Sequence, residues 1–194
     1  FEDGIVMVCG AAPYLPGSGA LSSFVCHEYL WNITMSAGSI ALGHGTHASA
    51  RNLGFRRRAF ERSGGYGDGE KVISGDDTLL LHRIQAQDPS GVATVPDSST
   101  HVYTRAPEDF KTFLRQRTRH MSTGKYFDPA LIAVGGVIYG YHVLSVLSIF
   151  LAAVSPVFLA VFLVSLLWKN AVDLIAFVRT RAVFGIKIEW RKFI

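Results

Sequence analysis

Apolar and polar positions divide this chain into two regimes, with short apolar runs among polar residues up to about residue 128 and an almost unbroken apolar stretch beyond it. In the first regime, Ile5-Val6-Met7-Val8-Cys9-Gly10 is a compact apolar run closed by glycine and predicts a buried strand. Ala11 to Gly19 is rich in Pro and Gly and reads as a loop. From Ser22 to Thr34 the positions of Phe24, Val25, Tyr29, Leu30 and Ile33 follow a helical period. Gly43 and Gly45 then permit close backbone approach to something bulky. Arg56 to Arg62 predicts a short helix ending at Gly64-Gly65, with Glu61 spaced to pair with Arg57 or Arg58. Leu79, Leu80 and Ile84 give the inner face of a helix that follows Asp77 and runs out in a loop from Gln85 to Gly91. Val92 to Val95 predicts a strand, Val102 to Thr104 a second. Pro107, Glu108 and Asp109 open a helix that reaches His120, with Phe110, Phe113 and Leu114 as its apolar face.

In the second regime, Leu131 to Val154 is nearly uncharged and long enough to cross a hydrocarbon core of about 30 Å. Ser155-Pro156 breaks the run, and Val157 to Val178 predicts a return crossing. Lys169 and Asp173, four apart, neutralise each other there. The alternative is a shorter apolar segment to Trp168 followed by an interfacial amphipathic helix.

Charge sharpens this division. Charges balance up to Asp128, so the net +4 comes from the tail. Cations flanking apolar spans fit a membrane topology with both ends cytoplasmic, and argue against nucleic acid as a partner. Cys9 and Cys26 have neither metal spacing nor a disulfide framework. His27, His44 and His47 lack the close spacing that zinc needs. The opening Phe1-Glu2-Asp3-Gly4 has no basic n-region or apolar h-region, which predicts no signal peptide.

The candidate chemistry centres on Ser74-Gly75-Asp76-Asp77, two adjacent carboxylates before a leucine-rich helix. One explanation is capping, because an Asp there accepts hydrogen bonds from the first free N–H groups. The other is that one Asp caps or orients while the second serves as a general base. Downstream, Gln116, Arg119 and His120 share one helix face and make a donor-rich stripe suited to a diphosphate. Arg115 and Arg117 lie off that stripe and read as solvated or membrane-surface cations.

A Gly-Asp-Asp before an apolar helix, then Gln116-Arg117-Thr118-Arg119-His120 and apolar spans, resembles the membrane-anchored members of glycosyltransferase family 2, the class of cellulose and hyaluronan synthases. Gly43-His44-Gly45-Thr46-His47-Ala48-Ser49-Ala50-Arg51-Asn52, with Phe55-Arg56-Arg57-Arg58-Ala59-Phe60 and Gly64-Gly65-Tyr66, resembles that family's acceptor-side segment. The resemblance implies an α/β domain of the nucleotide-diphospho-sugar transferase (GT-A) type over residues 1–128, followed by a transmembrane hairpin with a basic tail over 129–194. It implies inverting transfer from a nucleotide-sugar to a polysaccharide or lipid acceptor on the cytoplasmic side of a membrane. Asp77 would be the base and Asp76 its orienting or capping neighbour. Gln116 and Arg119 would hold the donor diphosphate, and Gly45, Thr46 and His120 would face the acceptor. His44 stands where the family often has cysteine, and His120 where it usually has tryptophan. Mg²⁺ or Mn²⁺ is implied as cofactor, but the Asp-x-Asp motif that would ligate it is absent from these residues. The expectation is therefore the C-terminal half of a catalytic domain, inactive without an N-terminal half or partner subunit. Two rival readings are a non-catalytic membrane module that binds anionic lipid or a partner, and a stability-only role for these motifs within a truncated, inactive product.

Overall fold

The computed structural model describes residues 3–15, 17–67, 74–122, 124, 127 and 129–186. Val72 and Ile73 ahead of the paired aspartates, Lys125, the boundary residue Asp128 and the basic tail with Lys187, Arg191 and Lys192 lie outside the described residues. The chain divides into two compact units, 1–126 with 179–194, and 127–178.

The first unit is built on a three-stranded sheet of β1 (Met7–Gly10), β3 (Leu53–Phe55) and β4 (Val92–Val95). β1 is central, antiparallel to β3 and parallel to β4, with Met7 opposite both Phe55 and Val92. A parallel neighbour demands a long crossover, and here it contains α1 (Ala20–Ala41), α2 (Arg57–Arg62) and α3 (Asp76–Gln87). A second, two-stranded parallel ladder joins β2 (Tyr14–Leu15) to β5 (Thr104–Arg105). The core gathers Met7 and Cys9 from β1, Ile40 from α1, Ala59 from α2, Leu80, Leu81 and Ile84 from α3, and Val92 from β4. Phe60 stacks on Phe55 at 5.3 Å and meets Tyr66 edge-on at 5.0 Å, closing the edge of the core beside β3.

Several boundaries differ from the sequence expectation: α3 runs on to Gln87, taking buried Gln85 out of the expected loop, β5 lies at Thr104–Arg105 rather than Val102–Thr104, and two helix ends shift for clear physical reasons. The helix expected to end at Thr34 continues through Gly38 to Ala41. A helical glycine costs about 1 kcal/mol, and burial of Ile40, 2% exposed, outweighs it. The helix expected to open at Pro107 begins three residues later as α4 (Phe110–Met121). Asp109 is its cap rather than a first-turn residue, accepting from Thr112 N–H and Oγ1, each at 2.8 Å.

The second unit contains α5 (Pro129–Leu151) and the first part of α6 (Pro156–Phe184). Both are long and apolar enough to cross a membrane, and protein covers none of their most apolar stretches. An apolar surface that water would not tolerate and no protein covers is suited to lipid. α6 continues as one helix past Trp168 to Phe184. Within this unit Tyr141 Oη donates to the Ser165 carbonyl at 2.7 Å, and Lys169 pairs with Asp173 as its spacing predicts. The last turns of α6, from Arg179, belong to the first unit, where Thr180 Oγ1 lies 2.6 Å from Thr34 Oγ1.

Candidate functional site

Gly75, at φ 89°, turns the chain in the left-handed region that glycine tolerates, and α3 starts at the next residue. Both aspartates therefore occupy the first helical turn, at the positive end of the dipole. Their surroundings differ. Asp76 is exposed, whereas Asp77 is half-buried and held through both oxygens. Its Oδ1 accepts from the Thr78 N–H and its Oδ2 from the Ala50 N–H, each at 2.8 Å. The bond to the helix N-terminus thus belongs to Asp77, so of the two roles expected for Asp76, orienting or capping, these bonds give capping to its neighbour. A carboxylate has about four acceptor positions, so two such bonds fix its orientation without exhausting it.

The Ala50 contact is one of a series of bonds that fasten the segment between α1 and β3 onto α3. Gly45 N–H donates to Gln85 Oε1 at 2.6 Å, Gln85 Nε2 donates to the Ile40 carbonyl at 3.0 Å, and Ala48 N–H reaches Thr78 Oγ1 at 3.3 Å. On the α1 side, Thr46 N–H donates to Ser39 Oγ at 2.9 Å, and Ser36 Oγ donates to the His47 carbonyl at 2.7 Å. The bulky neighbour that Gly45 makes room for is the protein itself. A Cβ there would lie 2.7 Å from Gln85 Oε1, 2.8 Å from Leu81 Cδ2 and 3.0 Å from Ile40 Cγ1. Thr46 Oγ1 lies 3.1 Å from both Ser39 Oγ and His47 Nδ1.

Electrostatics trace what this scaffold brings together. Burial lowers the affinity of His47 for a proton, partly opposed by the nearby Asp77 charge and a backbone bond at Asn32, with His120 and His82 adding to the lowering. Beneath them the Cys9 thiol is pushed up to about 12, by burial first and Asp77 second, and is an inert core group. His120, at the end of α4, is also lowered, by desolvation first, then by Arg119 and Arg117, with Asp77 opposing and Arg51 contributing weakly. Asp77, Arg119 and His120, predicted from separate motifs, therefore share one electrostatic neighbourhood. Arg119 Nη2 and His120 Nε2 are 3.5 Å apart, and Gln116 is half-buried one turn earlier on α4. Gly45 lies apart from this exposed group, buried against α1 and α3.

Arg117 corrects the expectation of a solvated cation. It is half-buried, ion-paired with Glu28 of α1, and its guanidinium stands 4.9 Å from the Phe113 ring centre. Phe113 in turn meets Phe24 of α1 edge-on at 5.9 Å. Glu28 and Gln85 hold these elements in place and were passed over by pattern reading. A lone acid within an apolar helix and a glutamine four residues after an inward Leu81 were the available signals.

Among the described residues, no group of three or more His, Cys, Asp or Glu side chains is arranged to hold a metal ion. The described side chains therefore do not fit a divalent cation.

No curated sequence and no solved structure matches the chain. The sequence profile described as glycosyl transferase family group 2 matches residues 4–185. That span runs from ahead of β1 to just past the end of α6, taking in both units and every residue of the site above, and so the chain belongs to glycosyl transferase family group 2.

Proposed function

We propose that Asp77 is the general base of an inverting sugar transfer from a nucleotide-diphospho-sugar to a hydroxyl of a polysaccharide or lipid acceptor. The observation that carries this reading is the two-point hold on Asp77. A base must be aimed at the proton it takes, and N–H donors from α3 and from the 3₁₀ turn at Ala50–Asn52 fix the direction of this carboxylate. In the proposed step, the acceptor oxygen attacks the anomeric carbon while its proton passes to Asp77. The bond from that carbon to the diphosphate breaks on the opposite face, its electron pair leaves with the diphosphate oxygen, and the configuration inverts. Arg119 and Gln116 donate to the leaving diphosphate, where charge develops and preorganised donors lower the barrier. His120 and Thr46 flank the acceptor. Asp76, exposed in the same helical turn, adds negative potential without touching the reacting atoms.

Membrane placement suits an acceptor that is lipid-linked or extruded. α5 and α6 would form a hairpin with both ends cytoplasmic, since cations precede the first and follow the second while Ser155-Pro156 between them is uncharged. Because these residues alone are expected to be inactive, the test is transfer of radiolabelled sugar from a panel of nucleotide-diphospho-sugars by membranes containing the full-length natural protein, with the product's anomeric configuration read by NMR. Transfer with inversion is expected. Retention of configuration, or no transfer from any donor, would overturn the reading.

A further inference from the structure

Building on the function proposed above, we infer that Arg51 is a second phosphate contact of this site, complementary to Arg119 and supplied by the segment that holds the base. Its backbone is fixed on both sides. Ala50, just before it, is bonded to Asp77, and Asn52, just after it, donates through Nδ2 to the carbonyls of Ala11 and Thr100, both at 2.8 Å. Its side chain is aimed as well. The guanidinium carbon lies 4.9 Å from the centre of the Tyr14 ring, and Nε donates to Ser49 Oγ at 3.2 Å. These contacts use the flat face and Nε. The two terminal nitrogens are the part of the fork that matches paired phosphate oxygens.

The residue is exposed, so no demand of the core explains a guanidinium held in one orientation. Arg51 also belongs to the set of charges around His120, with Arg119 and Asp77. A cation one residue from the base's hydrogen-bond partner suits a dianionic group next to the reacting hydroxyl. Two sources share that chemistry, the donor's leaving diphosphate and the phosphate of a lipid-linked acceptor.

The experiment measures binding of uridine and guanosine diphosphate to the purified full chain in detergent, on an Asp77→Asn background so that turnover plays no part. The KM for a polyprenyl-diphosphate-linked sugar, whose sugar hydroxyl is the acceptor, is measured separately on the full-length natural protein, with Asp77 intact. Arg51→Ala should weaken one of these by about tenfold, the size of one lost charge-assisted hydrogen bond. Arg51→Lys should recover only part, because a point charge does not replace a fork. A loss confined to nucleoside diphosphate assigns Arg51 to the donor, and a loss confined to the phosphorylated acceptor assigns it to the lipid. If both stay within about twofold of the parent, the inference is overturned. The binding arm needs no catalysis, so its outcome is distinguishable from failure of the transfer reading itself. An unchanged unfolding midpoint, expected for an exposed side chain, separates lost contact from lost fold.

Discussion

Replacing Gln85 by leucine tests whether the site is organised by the clamp between α3 and the segment from Gly43 to Ala50. Gln85 is 3% exposed, and its amide satisfies two backbone groups, the Gly45 N–H at 2.6 Å and the Ile40 carbonyl at 3.0 Å. Leucine is similar in volume but satisfies neither. Each buried group left without a partner costs about 1–3 kcal/mol, or roughly 2–6 for the two. The added apolar contact of leucine offsets roughly 1 kcal/mol of this, leaving a net loss of about 1–5 kcal/mol, a large share of a stability of about 5–15 kcal/mol. At about 2–4 °C per kcal/mol for a chain of this size, the unfolding midpoint should fall by about 2–20 °C. The assay is thermal unfolding of the detergent-solubilised protein, parent and variant compared at one scan rate. Because the same clamp positions Ala50 against Asp77, sugar transfer measured well below the midpoint should fall more than donor binding does. A midpoint within about 2 °C of the parent would refute the argument, since it would mean that those buried groups find other partners at no cost.

Other outcomes follow from the same geometry. Arg119→Lys should lower turnover by removing a bidentate donor, with little change in the unfolding midpoint. Arg117→Lys should lower the midpoint, because it disturbs a half-buried pair with Glu28, and a charge swap of Glu28→Arg with Arg117→Glu should restore part of the loss. If Arg117→Lys leaves the midpoint unchanged, the ion pair does not position α4. His47 binds a proton less readily in the folded chain than at the ordinary value of 6.5. The unfolded chain therefore takes up more protons between the folded value and 6.5, and stability should be unaffected above 6.5, decline as pH falls below it, and level off below the folded value. Guanidinium titrations at stepped pH would show this slope, which His47→Gln should reduce. Asp173→Asn should impair membrane insertion by leaving Lys169 without its partner, and Lys169→Leu with Asp173→Leu should recover it; equal insertion of all three would remove the pair's importance.

Much of this was legible along the chain because the underlying forces are local. An apolar run closed by glycine, a glycine turn before paired aspartates, and two long apolar stretches separated at Ser155-Pro156 gave β1, the start of α3, and α5 and α6. The strands missed, β2 and β3, are two and three residues long, and their pairing is set by partners distant in sequence, with no pattern of their own to read. The same holds within the site. Asp77, Arg119 and His120 could be named from type and spacing. The reason Asp77 rather than Asp76 is held could not, because it depends on the Ala50 N–H, 27 positions away. Arg117 illustrates the limit most clearly, as helical spacing placed it off the donor stripe but could not reveal Glu28, 89 residues earlier in the chain.

The central claim is that Asp77 is the base, and Asp77→Asn tests it most directly. Asparagine keeps the size and still offers an oxygen to the Ala50 or Thr78 N–H, but it does not take up the acceptor's proton. Single-turnover sugar transfer should fall by about 100-fold or more while nucleotide-sugar binding stays within about twofold, since the loss falls on the transition state. Asp76→Asn should cost far less. Near-parental transfer by Asp77→Asn, or a larger loss in Asp76→Asn, would contradict the account.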